Sequence, residues 1–474
     1  MIKTILTHTF VDLPKLTMIN LEDNAIDRIE RRAFMNMKLL KYINLRGNKI
    51  KDITDEAFQS LTWLDLSYNR LVRLDDGVFS DLPYLTHLDL SHNKQLLLES
   101  RGRTFHGLED SLLYLDLSNI SLLSVPELPL RRLQTLYLAH NELASIPAEM
   151  ASNLTSLHYL DLSANDLTVV PLITHTLPEL KTFNLADNPI TAVSNTSFLG
   201  IADSLEELDI RRLSLMTFES GALCKATKLR KLYITAYNGV KNFNFPNILE
   251  YNNGLRHLVI DVQNDTNLEK EMKGKFPNKL FNITLTGRAL KDINPDILRG
   301  IRNPHLHFGM YNTSVSTVPK QMFENAEWVR NVTIHLHHNE ARTLHNPSNG
   351  YKPGVPGKRF LLKLTVRGSY LTCDCDIGWM ESWQRKHRQY QEDRCTTYSE
   401  FKNFERDEED DEFDCWDNDW DDDLRETFCL NKNNVSVLDA LKSDLECGWG
   451  AASYIHAPRH LLLFFCVIFP ALVY

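Results

Sequence analysis

Leu61-Thr-Trp-Leu-Asp-Leu-Ser-Tyr-Asn69 decides the architecture, because the chain writes it again. Leu85-Thr-His-Leu-Asp-Leu-Ser-His-Asn93 and Leu157-His-Tyr-Leu-Asp-Leu-Ser-Ala-Asn165 repeat it almost letter for letter. The shared pattern is L-x-x-L-x-L-x-x-N. Weaker copies open at Leu16, Leu40, Leu112, Leu133, Leu180, Leu205, Leu229, Leu255, Leu280, Asn303, Val329 and Leu361, spaced 21 to 32 residues apart and mostly near 24. Fifteen openings in register describe an array of like coils. Positions 1, 4 and 6 face inward. No coil can bury its apolar edge alone, so the coils must stack. The x-L-x centre of each copy is then a short strand, parallel to its neighbours. Asparagine at position 9 turns the chain into the coil, where its amide can satisfy backbone groups. It stands at Asn24, Asn48, Asn69, Asn93, Asn141, Asn165 and Asn188, with Ile120 the gap. Leu213, Tyr237, Gln263 and Arg288 then replace it, so a less regular second half is expected.

The rest of the 474 residues fits around this array. Apolar residues make up 43% and charged residues 24%, enough to build a core. Net charge is −10, which argues against the basic footprint of a nucleic-acid binder. Glu405 to Asp423 holds 13 acidic residues and one Arg, a local −12, so the remainder sums to about +2. That run reads as a solvated loop, or as a site for a basic partner or loosely held Ca²⁺. Asn-x-Ser/Thr sequons occur at Asn119, Asn153, Asn195, Asn264, Asn282, Asn312, Asn331 and Asn434. With six cysteines crowded at Cys373, Cys375, Cys395, Cys415, Cys429 and Cys447, they point to an oxidising compartment and disulfides. Zinc is the competing reading of the cluster, but paired C-x-x-C spacing is missing. Cys224 stands alone and reads as a buried outer-turn residue.

Phe10, Phe34, Phe58, Phe79, Phe105, Phe198 and Phe323 precede the next opening by three to seven residues. This outer phenylalanine column, with the repeat, resembles the typical extracellular subfamily of leucine-rich repeats over roughly residues 5–369. Cys373-Asp-Cys375, followed by Trp379 and Trp383, resembles the cysteine-rich C-terminal cap of that family. The resemblance implies pairings Cys373–Cys429 and Cys375–Cys447. Cys395 and Cys415 depart from the family pattern. They either pair with each other in an insertion or serve as the third and fourth cap cysteines. The fold class expected is therefore α/β, a horseshoe solenoid with short parallel concave strands and a disulfide-bonded cap. Its parts are about 15 repeats over 1–369 with the N-terminal cap missing, a cap over 370–447 with an acidic insertion near 395–423, and a tail over 448–474. Residues 1–10 lack an apolar h-region, and Phe10 to Leu16 reads as the back of a repeat. The sequence is thus expected to begin inside the array.

Leu461 to Tyr474 is apolar but short for a span of about 20 residues. Small residues at Gly450 to Ser453 and a polar spacer precede it, the pattern of a GPI-anchor signal, with Gly450 as the first choice of anchored residue and Ala451 the second. A short transmembrane helix is the alternative. The whole is similar to the chaoptin and connectin type of GPI-anchored cell-surface adhesion protein. That likeness implies protein recognition without chemistry, in adhesion or as a co-receptor, with a secreted matrix protein or a truncated Toll-like receptor as the alternatives. No nucleophile motif, H-E-x-x-H or phosphate loop is present, so neither an enzyme nor a cofactor is expected. His305, His307, His335, His337 and His338 with Glu340 form the one candidate metal cluster, against the simpler reading of exposed polar residues.

The candidate binding surface is the concave face, where positions 3 and 5 point outward. Position 3 carries Tyr42, Trp63, His87, Tyr114 and Tyr159. Position 5 carries Asn44, Asp65, Asp89, Asp116, Tyr137, Asp161, Asn184 and Asp209. Aromatic anchors beside a row of carboxylates suit an extracellular or cell-surface protein ligand, homophilic or not. Sequons Asn282 and Asn331 read as position 3 farther along, where glycans would obstruct the face.

Overall fold

The computed structural model describes residues 1–53, 58, 61–99, 103–264, 267–349, 358–386, 424–442 and 445. Its backbone is a single 15-stranded parallel sheet, each strand hydrogen-bonded to the next in chain order. The strands are β1 (Met18–Asn20), β2 (Tyr42–Asn44), β3 (Trp63–Asp65), β4 (His87–Asp89), β5 (Tyr114–Asp116) and β6 (Thr135–Tyr137). They continue with β7 (Tyr159–Asp161), β8 (Thr182–Asn184), β9 (Glu207–Ile210), β10 (Lys231–Thr235) and β11 (His257–Asp261). The last four are β12 (Asn282–Thr286), β13 (His305–Tyr311), β14 (Asn331–His337) and β15 (Phe360–Arg367). The strands lengthen from three residues at the start to eight at the end. This is the leucine-rich-repeat solenoid that the spacing demands.

Leucines at positions 1, 4 and 6 make one continuous core. Leu61, Leu64 and Leu66 are fully buried, as are Leu85, Leu88 and Leu90 in the next coil and Leu157, Leu160 and Leu162 farther on. Each buried leucine is worth about 1.5–3 kcal/mol, realised only because a coil lies on either side. On the opposite edge Phe10, Phe34 and Phe58 stack in file, with centroids 5.3 and 5.7 Å apart. Phe79, Phe105, Phe198 and Phe323 are buried at the same turn.

The asparagine column joins the coils. Asn69 Nδ2 donates to the carbonyls of Leu45 in the preceding coil and Leu66 in its own, at 2.9 and 3.0 Å. Its Oδ1 accepts from the Ile50 N–H at 3.0 Å. Such a bridge satisfies groups that would otherwise be buried unpaired. At the Ile120 gap the next coil takes over: Asn141 Oδ1 accepts from both Ile120 and Leu122. The residue before the asparagine is left-handed. Asp23, Tyr68, His92, Ala164 and Asp187 have φ of 52 to 59°, and Arg212, before Leu213, keeps the same turn at 52°.

That backbone marker corrects the register of two copies. Asn282 pairs with His307, and His307 with Thr333. The thirteenth and fourteenth copies therefore open two residues later than Asn303 and Val329, at His305 and Asn331. Position 8 then falls on Gly287, Asn312, His338 and Gly368, all at positive φ. Position 9 falls on Asn339, so the asparagine column is not lost for good after Asn188. Asn339 Nδ2 donates to the Met310 carbonyl and its Oδ1 accepts from the Thr313 N–H. The longer strands hid this, since two-residue shifts keep the alternation of faces intact.

Beyond β15 the chain closes the open end. Tyr370–Leu371 pairs in parallel with Phe428–Cys429, and Cys373 is disulfide-bonded to Cys429, the pair the family resemblance implied. Cys375 is disulfide-bonded too. Trp379 and Trp383 lie on a helix over 379–386 and donate their indole N–H to the carbonyls of Leu344 and Leu361. Cys395, Cys415 and Cys447, the acidic run, Gly450 and the apolar tail lie outside the described residues. Cys224 is free and half-buried, more open than its outer-turn reading implied.

Candidate functional site

The register brings position 3 of β2 to β7 into one file: Tyr42, Trp63, His87, Tyr114, Thr135 and Tyr159. All are half-buried. Tyr42 stacks on Trp63 at 3.9 Å between centroids. His87 stacks on Tyr114 at 5.6 Å. Thr135 would break the file, yet the rings continue through Tyr137, which lies 5.6 Å from Tyr114 and 4.8 Å from Tyr159. Tyr137 sits at position 5, in the acidic file between Asp116 and Asp161. It therefore fills a gap in the aromatic file and interrupts the carboxylates. Only side-chain geometry reveals that crossing.

The carboxylates have a local structural duty. Oδ1 of Asp65, Asp89, Asp116 and Asp161 accepts the N–H of Ser67, Ser91, Ser118 and Ser163 respectively, at 2.8 to 2.9 Å. Asn44 and Asn184 do the same for Arg46 and Ala186, so the turn needs an oxygen and not a charge. The charge is carried at a cost. Burial and then the neighbouring Asp116 push the Asp89 carboxyl up to about 6. Burial raises Asp116 as well, and burial with the nearby aspartates raises the Tyr114 and Tyr159 hydroxyls. Asp65 and Asp161 are 6% and 8% exposed, so these carboxylates are set into the face, close to rings. Among the described residues no lysine or arginine pairs with Asp65, Asp89 or Asp116.

Arginine frames this window at position 7, a feature the sequence reading passed over although the letters show it. Arg46 lies over the Tyr68 ring at 4.0 Å. Arg211 forks onto Asp209, with Nε at 3.0 Å from Oδ1 and Nη2 at 2.6 Å from Oδ2, and lies over Tyr233 at 5.1 Å. Between them position 7 is Ser67, Ser91, Ser118, Ala139, Ser163 and Ala186.

The histidine cluster does not converge on a metal. His307 faces Thr333, and His335 faces Gly309, so the two are offset along their strands. His335 and His337 both hydrogen-bond Thr365 Oγ1, at 2.7 and 3.0 Å. Burial and then His337 lower the His335 imidazole to about 4. Among the described residues no three His, Cys, Asp or Glu side chains are grouped to hold a metal ion. Of the sequons, Asn195, Asn264, Asn312 and Asn434 are exposed, and Asn119, Asn153, Asn282 and Asn331 are half-buried. Asn331 stands two residues before position 3, which Thr333 occupies, but on the same face by parity. Two clefts of about 430 and 380 Å³ share Gly274 and neither includes a residue of the concave file.

The sequence matches the family described as Leucine rich repeat over residues 1–50, 39–95 and 59–123, and the two-copy form over 131–172. Chaoptin of Tribolium castaneum is 47% identical over 298 residues, covering 62% of this chain and 38% of that protein. Chaoptin of Drosophila melanogaster is 41% identical over 390 residues, covering 75% of this chain and 29% of that protein. This is a leucine-rich-repeat protein related to chaoptin. It spans less than half the length of both relatives. Among solved structures, the glycosylated form of the Drosophila Toll–Spatzle complex superposes with a TM-score of 0.50 at 20% identity, over 79% of this chain and 50% of that one. That likeness concerns the leucine-rich-repeat fold. Among the described residues no helix is long and apolar enough to cross a membrane.

Proposed function

We propose that this chain is an N-glycosylated cell-surface recognition protein that binds a protein partner along the concave face of β2–β7, in cell adhesion or as a ligand-binding co-receptor. One observation carries the reading: six stacked or abutting rings lie beside a row of carboxylates that nothing in the described chain neutralises. Rigid aromatics on a backbone-fixed sheet are efficient anchors, because little side-chain freedom is lost on binding. The relation to chaoptin supports a place at the cell surface, and the likeness in fold to Toll in its complex with Spatzle supports a protein partner. The mechanism is surface complementarity, with no covalent step. The proposed organisation is a solenoid to residue 369, a cap over 370–447, and an anchor signal over 448–474 with the lipid on Gly450. Glycans on Asn282 and Asn331 would keep partners off β12–β14.

The test has two arms in cultured animal cells expressing the chain behind a heterologous leader. Treatment with a phosphatidylinositol-specific phospholipase should release it. Retention would favour a membrane span and a truncated Toll-like receptor, and protein in the medium before treatment a secreted matrix role. Separately, expressing cells should gain aggregation or binding to test cells, and the Tyr114→Ala/Tyr137→Ala variant should lose it by at least tenfold. Equal binding by a correctly folded variant would sink the concave-face reading.

A further inference from the structure

The framing Arg211 shows what this face accepts. At β9 the guanidinium of Arg211 covers the position-5 carboxylate of Asp209 through both oxygens and rests against an aromatic ring. Arginine's planar fork matches a carboxylate and also stacks on a ring, which a lysine ammonium cannot do. Asp65, Asp89 and Asp116 have the same position, the same Oδ1 turn bond and neighbouring rings, but serine at position 7. Each lacks the group that covers Asp209. Asp161 differs, since its Oδ2 accepts from Asn184 Nδ2 at 3.0 Å.

Resting on the concave-face reading, we propose that Asp65, Asp89 and Asp116, beside Trp63, His87 and Tyr114, receive arginine side chains of an extended basic segment of a protein partner. Each guanidinium would take the place that Arg211 takes intramolecularly. Three lines converge. Asn44 and Asn184 make the turn without charge, so the fold does not require these three to be acids. The carboxylates stand one coil apart, about 4.8 Å, and repel one another until a cation intervenes. The rings beside them are the surface a guanidinium favours. The charge complementarity is local, because outside the acidic run the chain is nearly neutral.

The internal mimic supplies the test. Purified full chain is titrated with a fluorescent peptide of alternating arginine and serine, with lysine and glutamate counterparts, in low and physiological salt. Saturable binding of the arginine peptide is expected, at least fivefold weaker for lysine and absent for glutamate. The Ser91→Arg/Ser118→Arg variant copies the Arg211 arrangement and should weaken binding at least tenfold with an unchanged melting temperature. Asp89→Asn/Asp116→Asn, which keeps the turn bonds, should weaken binding as much without lowering the melting temperature. Peptide binding indifferent to both variants would place it on another acidic segment, such as Glu405–Asp423, and overturn the proposal, as would the absence of saturable binding. If Ser91→Arg/Ser118→Arg abolishes cell-surface binding while the arginine peptide fails to bind, the concave face stands and the arginine assignment falls. If neither changes, both fall.

Discussion

Asp89 shows how one side chain serves the fold and strains it at once. Its Oδ1 holds the Ser91 N–H, while burial and Asp116 raise its carboxyl to about 6 from an ordinary value near 4. The folded state thus takes up this proton more readily than the unfolded one. Its contribution to stability is present below about pH 4 and is lost as pH rises through 6. Asp89→Asn keeps the acceptor and removes the charge. It should raise the unfolding free energy at pH 7.5 by on the order of 1 kcal/mol, a difference that vanishes near pH 4. Denaturant melts at the two pH values read this directly. A destabilised variant at pH 7.5 would mean that the charge has a partner after all. A residue that costs stability where asparagine would do is a mark of function.

At the scale of one coil, the question is what replaces a missing asparagine. In the coil of β10, position 9 is Tyr237. Its hydroxyl donates to the Ile210 carbonyl and accepts from the Leu213 N–H at 3.1 Å, linking to the coil of β9 much as an asparagine does. The ring meanwhile packs edge-on against Phe243 at 5.6 Å. Tyr237→Phe keeps the ring and leaves two buried backbone groups unpaired. It should cost about 1–3 kcal/mol, seen as a lowered denaturation midpoint. An unchanged midpoint would show that water or a backbone shift replaces the hydroxyl. The coil is therefore less degraded in the second half than its letters suggest, because different side chains perform the same bridging.

Among the described residues, the strands of the large sheet contact those of neighbouring coils, so stability is nearly one-dimensional and loss begins at the ends. Described segments after β15 cover one end. Trp379 and Trp383 seal carbonyls of the last coils, Thr427 Oγ1 donates to the Val366 carbonyl, and the Cys373–Cys429 bond ties these segments together. Cys373→Ser/Cys429→Ser should speed amide hydrogen exchange in β13–β15 at least tenfold and leave β2–β7 unchanged. Uniform acceleration along the chain would show a fold far more cooperative than coil-by-coil contacts imply.

Sequence alone determined the solenoid, the parallel order of its strands, the buried leucines and the two outward files of the concave face. It could do so because a repeat spaced near 24 residues fixes which residues stack, and alternation along a strand fixes which side they take. Tertiary structure decided what periodicity does not encode. It moved two register positions that strand lengthening had blurred, restored Asn339 to the asparagine column, and swung Tyr137 across from the acidic file to the aromatic one. It also set His307 and His335 out of step, and laid Arg211 on Asp209 while Asp65, Asp89 and Asp116 stayed uncovered. Those outcomes depend on side-chain reach and direction between neighbouring coils, and a one-letter pattern carries the position of a side chain but not where its far end comes to rest.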